Sequence, residues 1–350
     1  MRKHHYHHIN SMHRYSRIYR RDLRRAGVVI GVFVLLVIVA VFLIQHWENK
    51  TYATSAKGVK GVESSALLDD LQLPDITYHG VIYESKPLIE AYLVMGIDVS
   101  GPVVSVPGAY NGGQADALFL MVVDNESETW RILRLNRDSM VEVPVLDLRG
   151  DIVGYQYQQL ALAHAYGDGT RNSCENTVNA VSIMLGGCPI DGYASLNMDG
   201  VVILNDAVGG VTLTVSSDFT AIDPTLIEGE TITLNGQQAM EYVRSRMSVD
   251  DQSNLARMER QRQYLEAVKP QLLTLNDEEI LRTYDALSDY IVTNLGSQEI
   301  LDLAEKIAVY EELPALTIEG TNAVNDGHMT YTLNEDSLQQ VILELFYREK

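Results

Sequence analysis

Residues 26–44 read AGVVIGVFVLLVIVAVFLI, nineteen positions without a charge. At 1.5 Å rise per residue a helix of this length reaches about 28 Å, close to the hydrocarbon thickness of a bilayer. The run therefore predicts one transmembrane helix, and everything else in the chain must be sorted to one side of a membrane or the other. A cleaved leader would have a shorter apolar region followed by small residues; here Gln45, His46, Trp47 and Glu48 follow. Upstream, Arg2, Lys3, Arg14, Arg17, Arg20, Arg21, Arg24 and Arg25 oppose Asp22 alone. The positive-inside bias then makes 1–25 a basic cytoplasmic tail and places the rest of the chain beyond 44 outside the cell membrane, with Trp47 at the outer interface. His4, His5, His7 and His8 lie in that tail with no cysteine or carboxylate to complete a coordination shell, so the tail reads as solvated rather than metal-binding.

The formal net charge of −20 combines +7 on residues 1–25 with −27 on the rest, so the outer portion is strongly acidic. No basic stripe with interleaved aromatics interrupts it, which excludes a nucleic-acid-binding domain. The two cysteines face an oxidising compartment, where bridges form. However, 175–185 reads as a helix capped by Asn172 or Ser173 and stopped by Gly186 and Gly187, which sets Cys174 and Cys188 at opposite ends of roughly 15 Å of helix. That exceeds bridging distance, and both are expected to be free, buried thiols.

Residues 45–90 read as an extracytoplasmic stalk or lead-in, with a short helix within 63–76. Strand-like runs follow at 92–96 and 117–123, separated by a Gly/Pro-rich loop over 100–113; the second is apolar throughout, as a strand covered on both faces would be. Residues 130–135 alternate and read as its hairpin partner, 199–208 as a helix ended by Gly209 and Gly210, and 211–215 as a strand. Helices are predicted at 236–243, 254–269, 277–292, 297–310 and 335–347. This alternation indicates an α/β sandwich with a mixed sheet.

Beyond residue 90 there are twelve arginines and three lysines, and the arginines cluster: 131, 134, 137 and 149, then 244, 246, 257, 260 and 262. A guanidinium fork matches phosphate and carboxylate oxygens, so the clusters suggest an anionic ligand; solvated helix faces with i,i+4 ion pairs are the ordinary alternative. Arg244 and Arg246 share a direction only where the backbone leaves the helix. Asp98 closes the first strand and Asp116 opens the next, at the strand ends where α/β folds gather ligands. Two carboxylates beside phosphate suit Mg²⁺.

The residues 96–98 (GID), Asp116 opening a strand, 136–139 (NRDS), 162–167 (LAHAYG), 206–211 (DAVGGV), 234–246 (LNGQQAMEYVRSR) and 257–261 (RMERQ), with 293–295 (TNL) after them, resemble in order the motifs of the LytR-CpsA-Psr family. The resemblance covers about 90–347 and includes the single anchor helix. It implies a three-layer α/β/α fold with a mixed central sheet, preceded by one transmembrane helix, and makes 91–350 a catalytic domain holding an apolar polyprenyl tunnel. It further implies Mg²⁺-dependent transfer of an anionic glycopolymer from polyprenyl pyrophosphate to a peptidoglycan hydroxyl. By motif, Asp98 and Asp116 would bind the metal, Arg137, Arg244, Arg246, Arg257 and Gln261 would contact the pyrophosphate, and Asp138 would orient or deprotonate a neighbouring group. The catalytic set implied is Arg137, Asp138, Arg244 and Arg246.

Three departures stand out: Gln114 where the family usually has arginine, Asn254 where it usually has aspartate, and the 100–113 insertion. They keep two other functions in view, a regulatory membrane protein that binds polyprenyl phosphate without turnover and a lipid pyrophosphatase using water at the same site.

Overall fold

The computed structural model describes residues 73–106, 112–245, 277–325 and 328–350, with six further helical positions between 260 and 271. Residues 26–44 lie outside these; among the described residues no helix is long and apolar enough to cross a membrane.

The chain opens with strands β1 (Ile76–Tyr78), β2 (Val81–Ser85), β3 (Ile89–Ile97), β4 (Ala115–Asp124), β5 (Thr129–Leu135), β6 (Met140–Leu146) and β7 (Ile152–Gln159). Then come the short helix α1 (Leu162–Ala165), α2 (Arg171–Met184), β8 (Gly192–Asn197), α3 (Gly200–Ala207), β9 (Val211–Thr214), β10 (Thr231–Leu234) and α4 (Gly236–Arg244). The last part holds α5 (Asp277–Leu287), β11 (Ile291–Thr293), α6 (Ser297–Val309), β12 (Glu311–Glu312), β13 (Leu316–Thr317), β14 (Gly320–Asn325), β15 (His328–Leu333), α7 (Glu335–Phe346) and β16 (Tyr347–Glu349).

The central sheet runs β11-β8-β3-β4-β5-β12, with β13 also on β5. It is mixed: β3 pairs with β8 in parallel and with β4 antiparallel. β4 is buried over nine consecutive residues because both its faces are covered. Phe119 and Ala117 pack with Val201 and Leu204 of α3 and with Ala239, Met240 and Val243 of α4. Leu118, Leu120 and Val122 pack on the opposite side with Val181 of α2 and Phe346 of α7. Helices on both faces follow from a strand that is apolar at every position from Ala117 to Val123.

Several expectations are corrected. α2 begins at Arg171 with Thr170 in the cap position, not Asn172 or Ser173, because Asp168 Oδ1 gathers Thr170 N and Oγ1 and Ser173 Oγ accepts from Gly169 N. The helix expected over 277–292 stops at Leu287; Ile291, Val292 and Thr293, all three β-branched, join β8 as an antiparallel strand. The last helix ends at Phe346 and Tyr347 enters β16. Within the segment read as lead-in, β1 and β2 form a sheet with β16, so that Tyr347 pairs with Ser85. Ile76, just past the Pro74 at which the short helix is expected to end, opens β1, while 63–72 lie outside the described residues. Of the 254–269 helix, the described positions 260, 263, 264, 267 and 268 are helical. The β6–β7, β9–β10 and β14–β15 hairpins bring strands at 140–159, 231–234 and 320–333 that the sequence pattern did not yield. Cys174 and Cys188 are free and buried, as expected; burial pushes both thiols up to about 12, so neither is a reactive thiolate.

Candidate active site

The site begins where β3 and β4 part. Gly96 pairs with Ala117 and Ile97 with Ala115, which leaves Asp116 as the extra residue of a β-bulge. A bulge re-aims a side chain that regular alternation would direct elsewhere. Asp116 is 1% exposed, and next to it Asp98 N donates to the Gln114 carbonyl at 2.9 Å. The two aspartates singled out from the sequence thus stand at one end of one strand pair.

Beyond β5, Asn136 makes the turn that delivers the opposite charge: its Oδ1 accepts from Asp138 N at 2.9 Å and its carbonyl from Ser139 N at 3.0 Å. Arg137 and Asp138 are buried at 6% and 5% exposure. The Arg137 guanidinium pairs with Asp116 through Nη1, donates from Nη2 to Gln114 Oε1 at 2.6 Å, and lies with Nε 3.4 Å from Asp138 Oδ1 in ion-pair range without hydrogen-bond geometry. Gln159 Nε2 donates to the same Asp138 oxygen at 3.0 Å, and Tyr331 N donates to the Asp138 carbonyl at 2.8 Å. Where the family pattern has a second arginine, Gln114 therefore accepts from Arg137. One guanidinium held by two carboxylates and an amide is rigid and already desolvated, the condition under which charge complementarity acts strongly.

Asp98 and Asp116 bring carboxylates from neighbouring backbone positions, the donor chemistry a magnesium ion takes, with Asp116 Oδ1 and Gln114 Oε1 turned to Arg137 in this structure.

Of the first arginine cluster only Arg137 enters this site. Arg131 pairs with Glu344, Arg134 is exposed on β5, and Arg149 lies in the β6–β7 turn. From the second, Arg244 is the last residue of α4, and Ser245 is extended with ψ 137°, so the backbone leaves the helix between the two arginines. The Arg244 side chain and Arg246, Arg257 and Gln261 lie outside the described residues. Arg260, given no role from sequence, is 2% exposed; its Nε donates to the Tyr242 carbonyl at 3.1 Å, Nη2 donates to the Ser245 carbonyl, and the guanidinium stacks 5.3 Å over Phe219. It fixes the end of α4 from which Arg244 departs.

His164 is the second residue without a sequence-derived role. Its Nδ1–H donates to the Gly113 carbonyl at 3.1 Å, pinning the loop that leads into Gln114 and Asp116, and its Nε2 faces Cys174 Sγ at 3.8 Å. Gly112 beside it admits no side chain: a Cβ would stand 2.4 Å from the His164 carbonyl. Burial holds the imidazole neutral, with its pKa lowered to about 4.

The LytR_cpsA_psr family model matches residues 84–346. The chain belongs to this family. Among LytR_cpsA_psr relatives, an Enterococcus faecalis protein named polyisoprenyl-teichoic acid–peptidoglycan teichoic acid transferase TagU is 27% identical over 300 residues, covering 82% of this chain and 91% of that protein. Biofilm regulatory protein A of Streptococcus mutans is 30% identical over 309 residues, covering 85% and 72%. The crystal structure of protein gbs0355 from Streptococcus agalactiae superposes with a TM-score of 0.56 at 26% identity, over 74% of this chain and 86% of that one. Bacillus subtilis TagV shares the fold with a TM-score of 0.53 at 23% identity, over 74% and 96%.

Proposed function

We propose that this LytR_cpsA_psr chain is a phosphotransferase that moves an anionic glycopolymer from a polyprenyl-pyrophosphate carrier to a hydroxyl of peptidoglycan. The observation that carries this reading is the buried Asp116–Arg137–Asp138 constellation at the bulged end of the central sheet. Its support from relatives is the transferase named above, acting on a polyisoprenyl-linked teichoic acid.

In this reading the acceptor hydroxyl oxygen forms a bond to the phosphorus next to the sugar, and the bond from that phosphorus to the bridging oxygen breaks. Polyprenyl phosphate leaves. Arg137, with Arg244, Arg246, Arg257 and Gln261, binds the pyrophosphate oxygens, and Asp138, held by Gln159, orients the acceptor hydroxyl and takes its proton. Asp98 and Asp116 would hold Mg²⁺, which supplies neutralisation of charge on the diphosphate when bound. Phosphoryl transfer needs positioning and charge neutralisation rather than a protein nucleophile. Residues 26–44 would anchor the chain as a single-pass protein of the cell membrane with its N-terminus inside, which sets the site beside a lipid-borne donor.

The test incubates the full chain, in detergent, with a polyprenyl-pyrophosphate oligosaccharide, peptidoglycan oligomers and Mg²⁺. Polymer joined to glycan, lost on chelation and lost in Asp116→Asn, is the expected result. Released sugar phosphate without adduct would make the chain a pyrophosphatase. Donor bound without turnover would favour a regulatory role, the reading to which the name of the Streptococcus mutans relative points.

A further inference from the structure

β6 and β7 form a ribbon hydrogen-bonded only to each other among the described strands. Val141 and Val143 turn one face of it into the core. The two-residue period puts Met140, Glu142 and Pro144 on the opposite face, and the register sets them against Gln159, Tyr157 and Tyr155. Tyr157 is 63% exposed, Tyr155 37%, and Glu142 is exposed directly across the ribbon from Tyr157, while Pro144 opposite Tyr155 is buried. A single exposed tyrosine needs no explanation; two on one strand face, in line with a carboxylate and an amide, make an ordered amphipathic surface. The row ends at Gln159, whose Nε2 donates to Asp138 Oδ1 at 3.0 Å, so the surface runs without a break into the site. From Tyr155 to Gln159 it extends about 14 Å by strand rise.

We propose that this face of the β6–β7 ribbon binds the acceptor, an uncharged stretch of β-linked acetamido-sugar chain laid along β7 with its reacting hydroxyl at Asp138. The assignment rests on the transferase reading. Tyrosine offers a large rigid ring at low conformational cost together with a polar tip, which matches a pyranose with one C–H face and a rim of hydroxyls. Glu142 can accept from those hydroxyls, and its charge disfavours both the anionic donor polymer and an anionic lipid surface on this face. The donor's pyrophosphate belongs to the arginine side and the acceptor to the tyrosine side, with Asp138 between them.

The experiment measures binding of an N-acetylglucosamine hexamer to the full chain in detergent by calorimetry, with binding of a polyprenyl-pyrophosphate sugar followed in parallel. Tyr155→Ala and Tyr157→Ala are each expected to raise the hexamer Kd about tenfold, with Tyr157→Phe near wild type, and with donor affinity and thermal midpoints unchanged because both side chains lie outside the core. Absence of hexamer binding by the wild type, or equal affinity in the alanine variants, overturns the assignment. Protection of Tyr157→Cys from maleimide on reconstitution into phosphatidylglycerol vesicles without glycan would give the face to lipid and overturn it as well. Failure of donor binding with hexamer binding intact would count against the transferase and leave a glycan-binding surface in place.

Discussion

At the residue scale the site turns on Arg137, a cation held out of water between two carboxylates. Removing one partner of a buried charged group is far costlier than the pair is worth, since the other charge stays buried. Arg137→Ala should lower unfolding free energy by about 3–5 kcal/mol by urea titration and abolish transfer. Arg137→Lys should retain much of the stability yet lose activity, because an ammonium cannot reach Asp116 and Gln114 with a planar fork. His164 gives a pH signature. Its pKa of about 4 in the fold lies below its ordinary value of 6.5 because burial disfavours the charged imidazole. Above pH 6.5 it is neutral folded and unfolded and contributes no pH dependence. As pH falls from 6.5 towards 4 the unfolded chain takes up a proton that the folded one refuses, costing about 3 kcal/mol by pH 4. His164→Asn keeps a donor for the Gly113 carbonyl and should flatten this part of the stability profile, read as urea midpoint against pH. Asp98, Asp116, Arg137 and Asp138 were recognisable as residue types and motifs. The separation of Arg131, Arg134 and Arg149 from Arg137 was not, because neighbours in sequence on a strand and its hairpin point to different faces and ends.

At the element scale, α4 carries its cap in its own sequence. Asn235 Oδ1 accepts from Gln238 N at 2.9 Å while Gln238 Oε1 accepts from Asn235 N at 3.1 Å. Asn235→Ala should cost about 1 kcal/mol in chemical denaturation. Gly236 answers a different need: a Cβ there would meet the Val202 carbonyl at 2.5 Å and Asp206 Oδ2 at 2.8 Å, where Gly236 N already donates to Asp206 Oδ1 at 2.6 Å. Gly236→Ala should push α4 from α3, cost about 1–3 kcal/mol, and reduce transfer by displacing Arg244. The cap and the apolar run of β4 were legible because local chemistry fixes them. β6 and β7 were not, since Tyr and Gln alternate on β7 with no apolar face to mark a strand; the burial that stabilises the ribbon comes from β6. Equally, the helical period of α5 runs on through Ile291 and Val292, and only pairing with β8 ends it.

At the scale of the whole molecule, the two ends of the domain close on each other through β2 and β16. Removing 347–350 exposes the pocket of the buried Tyr347 and should lower the thermal midpoint by roughly 5–10 °C, given about 2–3 kcal/mol for one such side chain. If 26–44 anchors the chain, the intact protein should sediment with membranes and resist high-salt extraction, and deleting 26–44 should move it to the supernatant. The sequence by itself determined the properties that local chemistry settles: an apolar run long enough for a bilayer, a central strand covered on both sides, the ordered motifs of the family, and carboxylates at strand ends. Only the tertiary structure decided that Asp116 is a bulge residue, that Arg137 alone of its cluster turns inward, that Gln114 accepts from Arg137 and Gln159 donates to Asp138, and that Arg260 and His164 hold the backbone around the site. These depend on register and on which strands meet, and pairing between segments far apart in the chain leaves no period in either one.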